Sequence, residues 1–222
     1  MKPLPWSYSS LSDFINCPRQ FYEKRVAKSV REEESEQIRY GNYVHKAFEL
    51  RIRDKTPLPP DLAAHEGMMQ KFERRVGSIY TEKKIALNRQ LQPCGFFDED
   101  VWWRGVIDLH VVHDHVATTT DHKTGKVHRD FKQLKLFALW LFTQYPKLTI
   151  VNVEYYWTQT QSFTGAQYSR DQIRDLWSEF VPHLRQYKEA FRSDTWQERP
   201  SGLCNGWCPV TMCQFWKPKK TR

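Results

Sequence analysis

Gly105-Val106-Ile107-Asp108-Leu109-His110-Val111-Val112 is followed shortly by Val116-Ala117-Thr118-Thr119-Thr120-Asp121-His122-Lys123, with twelve residues between Asp108 and Asp121. Both runs are rich in β-branched residues and suit strands. Alternate residues of a strand share a face, so Asp121 and Lys123 project together. If the two strands pair as a hairpin, Asp108 approaches the same point. Val106, Ile107, Leu109, Val111 and Val112 make Asp108 a charge inside an otherwise apolar strand, and a buried carboxylate is costly unless it is paired or metal-bound. Two carboxylates beside an ammonium suit a hard divalent cation that activates water against a phosphodiester. Charges flanking a hairpin turn are ordinarily solvated, and Asp-x-Lys is a common triplet. The apolar setting of Asp108 singles this one out.

Thr124-Gly125-Lys126 breaks the second strand. Residues 131–144 then read as an amphipathic helix carrying Leu134, Leu136, Phe137, Leu139, Trp140 and Leu141. Strands are expected at 149–157 and 163–168, and one long helix at 171–192 with a possible break at Pro182. Upstream, a first strand is expected at 82–91 and a turn at 95–100. Ser7 to Ser12 offer N-caps for a helix reaching about Tyr22. Residues 31–37 read as a charged loop or helix start. Residues 38–53 read as a helix with Tyr40, Val44, Ala47, Phe48 and Leu50 as its buried positions, and 62–80 as another helix. The tail from Pro200 reads as irregular. Helices, a strand meander, then helix, strand and helix give an α/β fold, a mixed sheet with helical cover. The whole chain reads as one domain with a helical part at 1–80, a core at 81–170 and a Cys-rich tail at 200–222.

The 222 residues carry a net charge of +8, and 13 Phe, 10 Tyr and 9 Trp supply ample core. A basic surface attracts polyanions, nucleic acid first, and some aromatic residues could stack on bases. No run approaches the ~20 apolar residues that span a bilayer, so no membrane partner is expected. The first residues, Met-Lys-Pro-Leu-Pro-Trp-Ser, lack the apolar segment of a signal peptide, and the expected setting is the cytoplasm of a bacterial or phage-infected cell.

Further ligand candidates lie outside the two strands. His45 could join Asp108 and Asp121 on a divalent ion, Mn²⁺ or Mg²⁺, with the backbone carbonyl of His122 as another donor. Lys123 could stabilise charge on the scissile phosphate or assist the attacking water. Gln133 could orient a water or contact a phosphate, and Glu82 could lie near the metal. Arg104, Lys126, Arg129 and Lys132 are placed to bind phosphates. Each of these residues is more often an ordinary polar surface group.

Of five cysteines, Cys204, Cys208 and Cys213 fall within ten residues, Cys17 lies near the N-terminus and Cys94 is separate. In a reducing compartment such a set suggests metal rather than disulfides. If the chain ends meet, Cys17 and the three tail cysteines can form a four-thiolate site for an iron–sulfur cluster or Zn²⁺. The Cys-x3-Cys-x4-Cys spacing is not the paired CxxC of a zinc ribbon, which favours iron–sulfur.

Taken in order, these motifs resemble the RecB-like branch of the PD-(D/E)xK nuclease superfamily, and within it the iron–sulfur exonucleases: the CRISPR-adaptation nuclease group, AddB-type nuclease domains and their phage relatives. Ser9-x-Leu11-x-x-Phe14-x-x-Cys17-Pro18-x-x-Phe21 is similar to the family's N-terminal helix with its first cluster cysteine. Gly41-x-x-Val44-His45 resembles the motif with a metal-binding histidine. Gly105 to Asp108 and Asp121-His122-Lys123 resemble the two acidic motifs and the catalytic lysine. Gln133-Leu134-x-x-Phe137 resembles the following helical motif, where the family usually carries Tyr in place of Phe137. The tail cysteines resemble the C-terminal cluster ligands, although the family more commonly has Cys-x2-Cys.

The resemblance implies a restriction-endonuclease-like fold and Mg²⁺- or Mn²⁺-dependent hydrolysis of DNA from an end. It implies Asp108, Asp121, Lys123 and Gln133 at the catalytic site and a [4Fe–4S] cluster on Cys17, Cys204, Cys208 and Cys213. A homo-oligomer or a recombination partner protein is a further expectation. The competing readings are a non-catalytic nucleic-acid-binding protein with a structural Zn or iron–sulfur site, and a sequence-specific endonuclease.

Overall fold

Five strands form one mixed sheet in sequence order: β1 Ser78–Asn88, β2 Val101–His113, β3 Val116–Lys123, β4 Ile150–Trp157 and β5 Ser162–Ser169. The computed structural model describes residues 1–31 and 34–219. Its helices are α1 Tyr8–Asn16, α2 Pro18–Phe21, α3 Glu36–Asp54, α4 Glu66–Glu73, α5 Lys132–Gln144, α6 Ile173–Ser178 and α7 Val181–Ser193. Residues 32–33 of the charged 31–37 stretch, and the last three of the tail, lie outside the described residues.

Contacts divide the chain into two compact units, Ser35–Ser178 and a second made of Met1–Glu34 with Glu179–Arg222. In the larger unit β1, β2 and β3 form an antiparallel meander, while β3 and β4 are parallel and joined by the α5 crossover. A parallel pair requires such a crossover. β5 returns antiparallel on β4. Val44, Phe48 and Ile52 recur every four residues along α3. They pack with Leu62, Met69 and Phe72 against Leu109 of β2 and Tyr156 of β4. Helix α5 buries eight of the nine residues from Leu134 to Phe142, all but Lys135. Such all-round apolarity marks a helix with little solvent contact. Gly105 lies close beside it: a Cβ there would stand 3.3 Å from the Phe137 ring, which would have to yield by a few tenths of an ångström.

Several expectations need correction. The helix expected at 62–80 is a 3₁₀ turn at Pro60–His65 followed by α4, which stops at Glu73. Gly77, at φ +126°, then starts β1 at Ser78, four residues before the expected start. The φ value suits glycine alone. The helix expected at 171–192 ends at Ser178 and restarts at Val181, because Pro182 lacks an N–H and fits only a first turn. Tyr40 is exposed, not buried.

In the smaller unit Ser7 caps α1 and exchanges hydrogen bonds with Ser10 in a capping box. Cys17 takes extended backbone between α1 and α2, where Pro18 opens the second helix. Phe14, Phe21, Tyr187, Phe191 and Trp196 form an aromatic core with ring centroids 4.9–6.2 Å apart. The segment after Trp196 is tied to α1 and α2: the Arg19 N–H donates to Gln197 O, and the Arg199 side chain donates to Ile15 O at 2.6 Å. Among the described residues no helix is long and apolar enough to cross a membrane.

His110 is completely buried in β2, stacked on Tyr80 at 4.7 Å and edge-on to Trp140, and neither ring nitrogen has a hydrogen-bond partner. Burial, with Lys83 nearby, lowers its pKa to about 4. The folded state therefore holds this ring neutral while the unfolded chain takes up a proton below pH 6.5. Stability from this site is complete above that value and is lost as pH falls toward 4. Moving from pH 7 to pH 5 costs about 2 kcal/mol at this site, or very roughly 4–8 °C in melting temperature. His110→Phe removes that part of the acid sensitivity. Melting curves at the two pH values check this: the wild-type drop should exceed the variant's by that margin.

Candidate active site

The two central strands part at the point where the aspartates stand. The β2–β3 ladder ends at Leu109↔Thr120, while β2 continues against β1 and β3 continues against β4 as far as Lys123↔Trp157. Asp108 fills the fork, and its Oδ2 accepts the backbone N–H of His122 at 2.7 Å. That amide would otherwise be left without a partner by the parting of the strands. The β1–β2 ladder pairs Thr81↔Leu109 and Lys83↔Ile107 but skips Glu82 and Asp108. Glu82 has a left-handed φ of +45°, uncommon for a residue with a side chain and a known companion of functional sites.

Helix α3 supplies the histidine. Val44 points into the core, and His45, about 100° further round the helix, points to the fork. Its Nδ1 lies 3.2 Å from Asp108 Oδ2 and 3.9 Å from Glu82 Oε1. On β3, Lys123 Nζ lies 2.6 Å from Asp121 Oδ2 and 5.2 Å from the centre of the Tyr155 ring. Gln133, in the first turn of α5, joins these two groups. Its Nε2 donates to Asp121 Oδ1 at 2.9 Å, and its Oε1 accepts from Lys123 Nζ at 2.9 Å. The expected faces of β3 are thus realised, and Gln133 spans the carboxylate and the ammonium. The Asp108 and Asp121 side chains are sealed, whereas His45 and Lys123 remain 30% and 27% exposed, open to a substrate.

The site is crowded with like charge. Burial pushes Glu82 up to about 7, helped by the charge of Asp108. Burial and Asp108 push Asp121 up to about 6, against the pull of Lys123. Asp108 itself is lowered: burial opposes its charge, but His45 and the His122 amide prevail. Burial alone would lower His45, yet Asp108, with Asp121 and Glu82 behind it, holds it up at about 9. Three carboxylates repelling one another around an imidazole are the electrostatic setting that a divalent cation relieves. A nitrogen of His45, an oxygen of Asp108 and a nitrogen of His122 lie within 4.8 Å of one another. The donor set therefore fits a metal ion.

Sequence reasoning used only the backbone of His122. Its ring is fully buried against Phe48, Phe72 and Tyr156 and lies at the same pocket. The available signal was a histidine inside a buried β run. Of the basic candidates, Lys126 and Arg129 are exposed on the loop that leaves Lys123. Arg104 lies over the Phe96 ring at 5.1 Å, and Lys132 lies 3.8 Å from Asp130.

In the smaller unit Cys17, Cys204, Cys208 and Cys213 line one pocket, while Cys94 lies in the β1–β2 connection. Backbone N–H groups of Arg199 and Ser201 point at the sulfurs of Cys17 and Cys204, both at 3.5 Å. Burial raises the Cys208 thiol, and the other three cysteines raise it further. Four sulfurs in one pocket with N–H donors fit a thiolate-bound metal centre, since such donors favour the charged form.

A mixed sheet whose central strands fork around two carboxylates and a lysine, between α3 and the α5 crossover, is the restriction-endonuclease-like arrangement. The sequence matches the PD-(D/E)XK nuclease superfamily over residues 5–214, and the chain belongs to that superfamily. Two solved structures share the fold. A Eubacterium rectale protein described as a candidate exonuclease superposes with a TM-score of 0.56 at 12% identity, over 95% of this chain and 86% of its own. The SSO0001 protein superposes with a TM-score of 0.50 at 15% identity, over 98% and 90%. No curated protein matches the sequence.

Proposed function

We propose that this protein is a divalent-metal-dependent DNA exonuclease serving recombination, repair or phage genome processing. The observation that carries this reading is the His45–Asp108 pair and the Asp121–Lys123–Gln133 set at one strand fork, near enough for the charge of Asp108 to raise Asp121. The description of the Eubacterium rectale relative points the same way. His45, Asp108, Asp121 and the carbonyl of His122 are the residues that would hold Mg²⁺ or Mn²⁺. When bound, the ion supplies Lewis acidity and lowers the pKa of water toward neutrality.

The chain's own residues do the rest. Hydrolysis adds water across a P–O bond, and negative charge builds on the phosphoryl oxygens. Lys123 is the exposed cation of the pocket and stabilises that charge. Asp121 and Gln133 fix its position, so little reorganisation is needed as the charge develops. Gln133 can serve both partners because its amide offers a donor and an acceptor together. The buried floor around Asp108 keeps bulk water from screening these interactions. Exposed Lys126 and Arg129 are placed to hold the backbone of the strand. A non-catalytic binding protein would have no use for the paired Asp121–Lys123–Gln133 set.

We propose a [4Fe–4S] cluster on the four cysteines that line this pocket, as a staple for the tail. Four thiolates on one Zn²⁺ would lie about 3.8 Å apart, given Zn–S bonds of about 2.3 Å. No three of these four sulfurs lie within 4.8 Å of one another. That spacing does not fit four thiolates on one Zn²⁺.

End-labelled linear DNA beside covalently closed DNA, each with Mg²⁺ or Mn²⁺, tests the activity. The wild type should degrade only the linear substrate, and Lys123→Ala should cut on the order of 10²–10³ times more slowly, the usual effect of losing one transition-state charge partner. Cutting of the closed substrate would replace the exonuclease reading with an endonuclease one. Binding without cutting would replace it with a non-catalytic one.

A further inference from the structure

The side chain of His122 has no explained role. Both ring nitrogens are buried, and neither has a hydrogen-bond partner. A neutral imidazole needs one donor and one acceptor satisfied, so two orphaned nitrogens in a sealed core call for an ion or a water. His110 is orphaned in the same way but faces Tyr80 and Trp140, neither a ligand. The His122 ring instead looks toward charge: Nδ1 lies 3.8 Å from Asp108 Oδ2, and the ring centre lies 5.8 Å from that of His45. Donors sharing one ion at bond lengths of about 2.1 Å lie roughly 3 Å apart when adjacent and 4.2 Å apart when opposed. The 3.2 Å from His45 and 3.8 Å from His122 to the same Asp108 oxygen fall in that range.

We propose that the His122 imidazole is itself a metal ligand, adding a second histidine to the His45–Asp108 corner of the metal site and biasing it toward a transition-metal dication over Mg²⁺. This deepens the metal-dependent reading above and rests on it only for the presence of an ion at the fork. The chemistry is ligand preference. Mg²⁺ takes oxygen donors and parts reluctantly with water, whereas imidazole suits the later first-row ions. A second imidazole therefore adds affinity for Co²⁺ or Zn²⁺, less for Mn²⁺ and least for Mg²⁺. The surrounding rings of Phe48, Phe72 and Tyr156 fix the imidazole plane, and their apolarity keeps water from competing.

The test uses the full chain without DNA. Calorimetric titration with Co²⁺ and with Mg²⁺ should show His122→Leu weakening Co²⁺ binding by roughly tenfold or more and Mg²⁺ binding by less than about threefold. Pulsed electron paramagnetic resonance of the Mn²⁺-loaded protein gives a second readout that leaves His122 intact. The wild type should show two coordinated imidazoles, and His45→Gln should retain one. Equal weakening of both metals by His122→Leu, or no coordinated imidazole in His45→Gln, would overturn the His122 assignment and leave the active-site reading standing. Failure of the wild type to bind either metal would overturn both.

Discussion

Asp108→Asn should lower the rate of DNA cleavage by at least about a thousandfold while the protein stays folded. The replacement keeps the shape. An asparagine oxygen can still accept the His122 amide that Asp108 Oδ2 takes at 2.7 Å, so the fork between β2 and β3 keeps its filler. What is lost is the charge, and three features depend on it. It is the oxygen donor nearest His45, at 3.2 Å. It helps push Glu82 and Asp121 upward, so both become easier to ionise in the variant. It holds His45 up at about 9, so that histidine becomes easier to deprotonate. The variant should therefore lose affinity for dications, and its pH profile should change as well. Melting temperature should fall, because His45 and the His122 amide hold the carboxylate below its ordinary range and that stabilisation of the charge is lost. Turnover, metal titration and a melting curve on the same preparation check this. Turnover within tenfold of wild type would remove Asp108 from the mechanism.

Cys208→Ser should have the largest effect on stability. Burial raises the Cys208 thiol, and the other three cysteines of the pocket raise it further. It lies in a tail with little regular structure. Leu203, Trp207 and Met212 are exposed, and the last regular helix of the chain ends at Ser193. In such a segment ligand binding energy is folding energy. Loss of one of four ligands should cost at least about 4 kcal/mol, or on the order of 10 °C in melting temperature. Iron content and visible absorbance should fall with it, and residues 198–219 should become open to protease. Cys94→Ser should change none of these. A Cys208→Ser protein with unchanged iron and melting temperature would show the cysteines to be ordinary buried thiols.

The sequence exposed the sheet centre well, for a physical reason. β2 and β3 are apolar or β-branched along nearly their whole length, so two aspartates and a lysine stood out as charges that need partners. Helix α5 was equally plain because its burial is almost continuous. The start of β1 was not, since residues 74–77 are largely polar and the strand depends on the backbone turn at Gly77. The break at Pro182 was half visible, as proline both interrupts a helix and starts one. At the site, Glu82 was undervalued because its approach to His45 depends on a left-handed φ that no propensity announces. The ring of His122 was missed because strand alternation places it on the face opposite Asp121, and only the packing of α3 and α4 shows that this face reaches the fork. Gln133 was legible as a position but not as a bridge, which needs the distances on both sides of its amide.

The central claim is that this forked strand pair hydrolyses phosphodiesters with a dication held at Asp108 and Asp121. The most direct measurement is release of labelled nucleotides from linear DNA by wild-type protein stripped with a chelator and then given back Mn²⁺ or Mg²⁺, with Asp121→Asn alongside. The account predicts no release after stripping, recovery on adding either ion with Mn²⁺ the more effective, and none from Asp121→Asn in either metal. Release that persists in chelator, or that Asp121→Asn supports as well as the wild type, would contradict it.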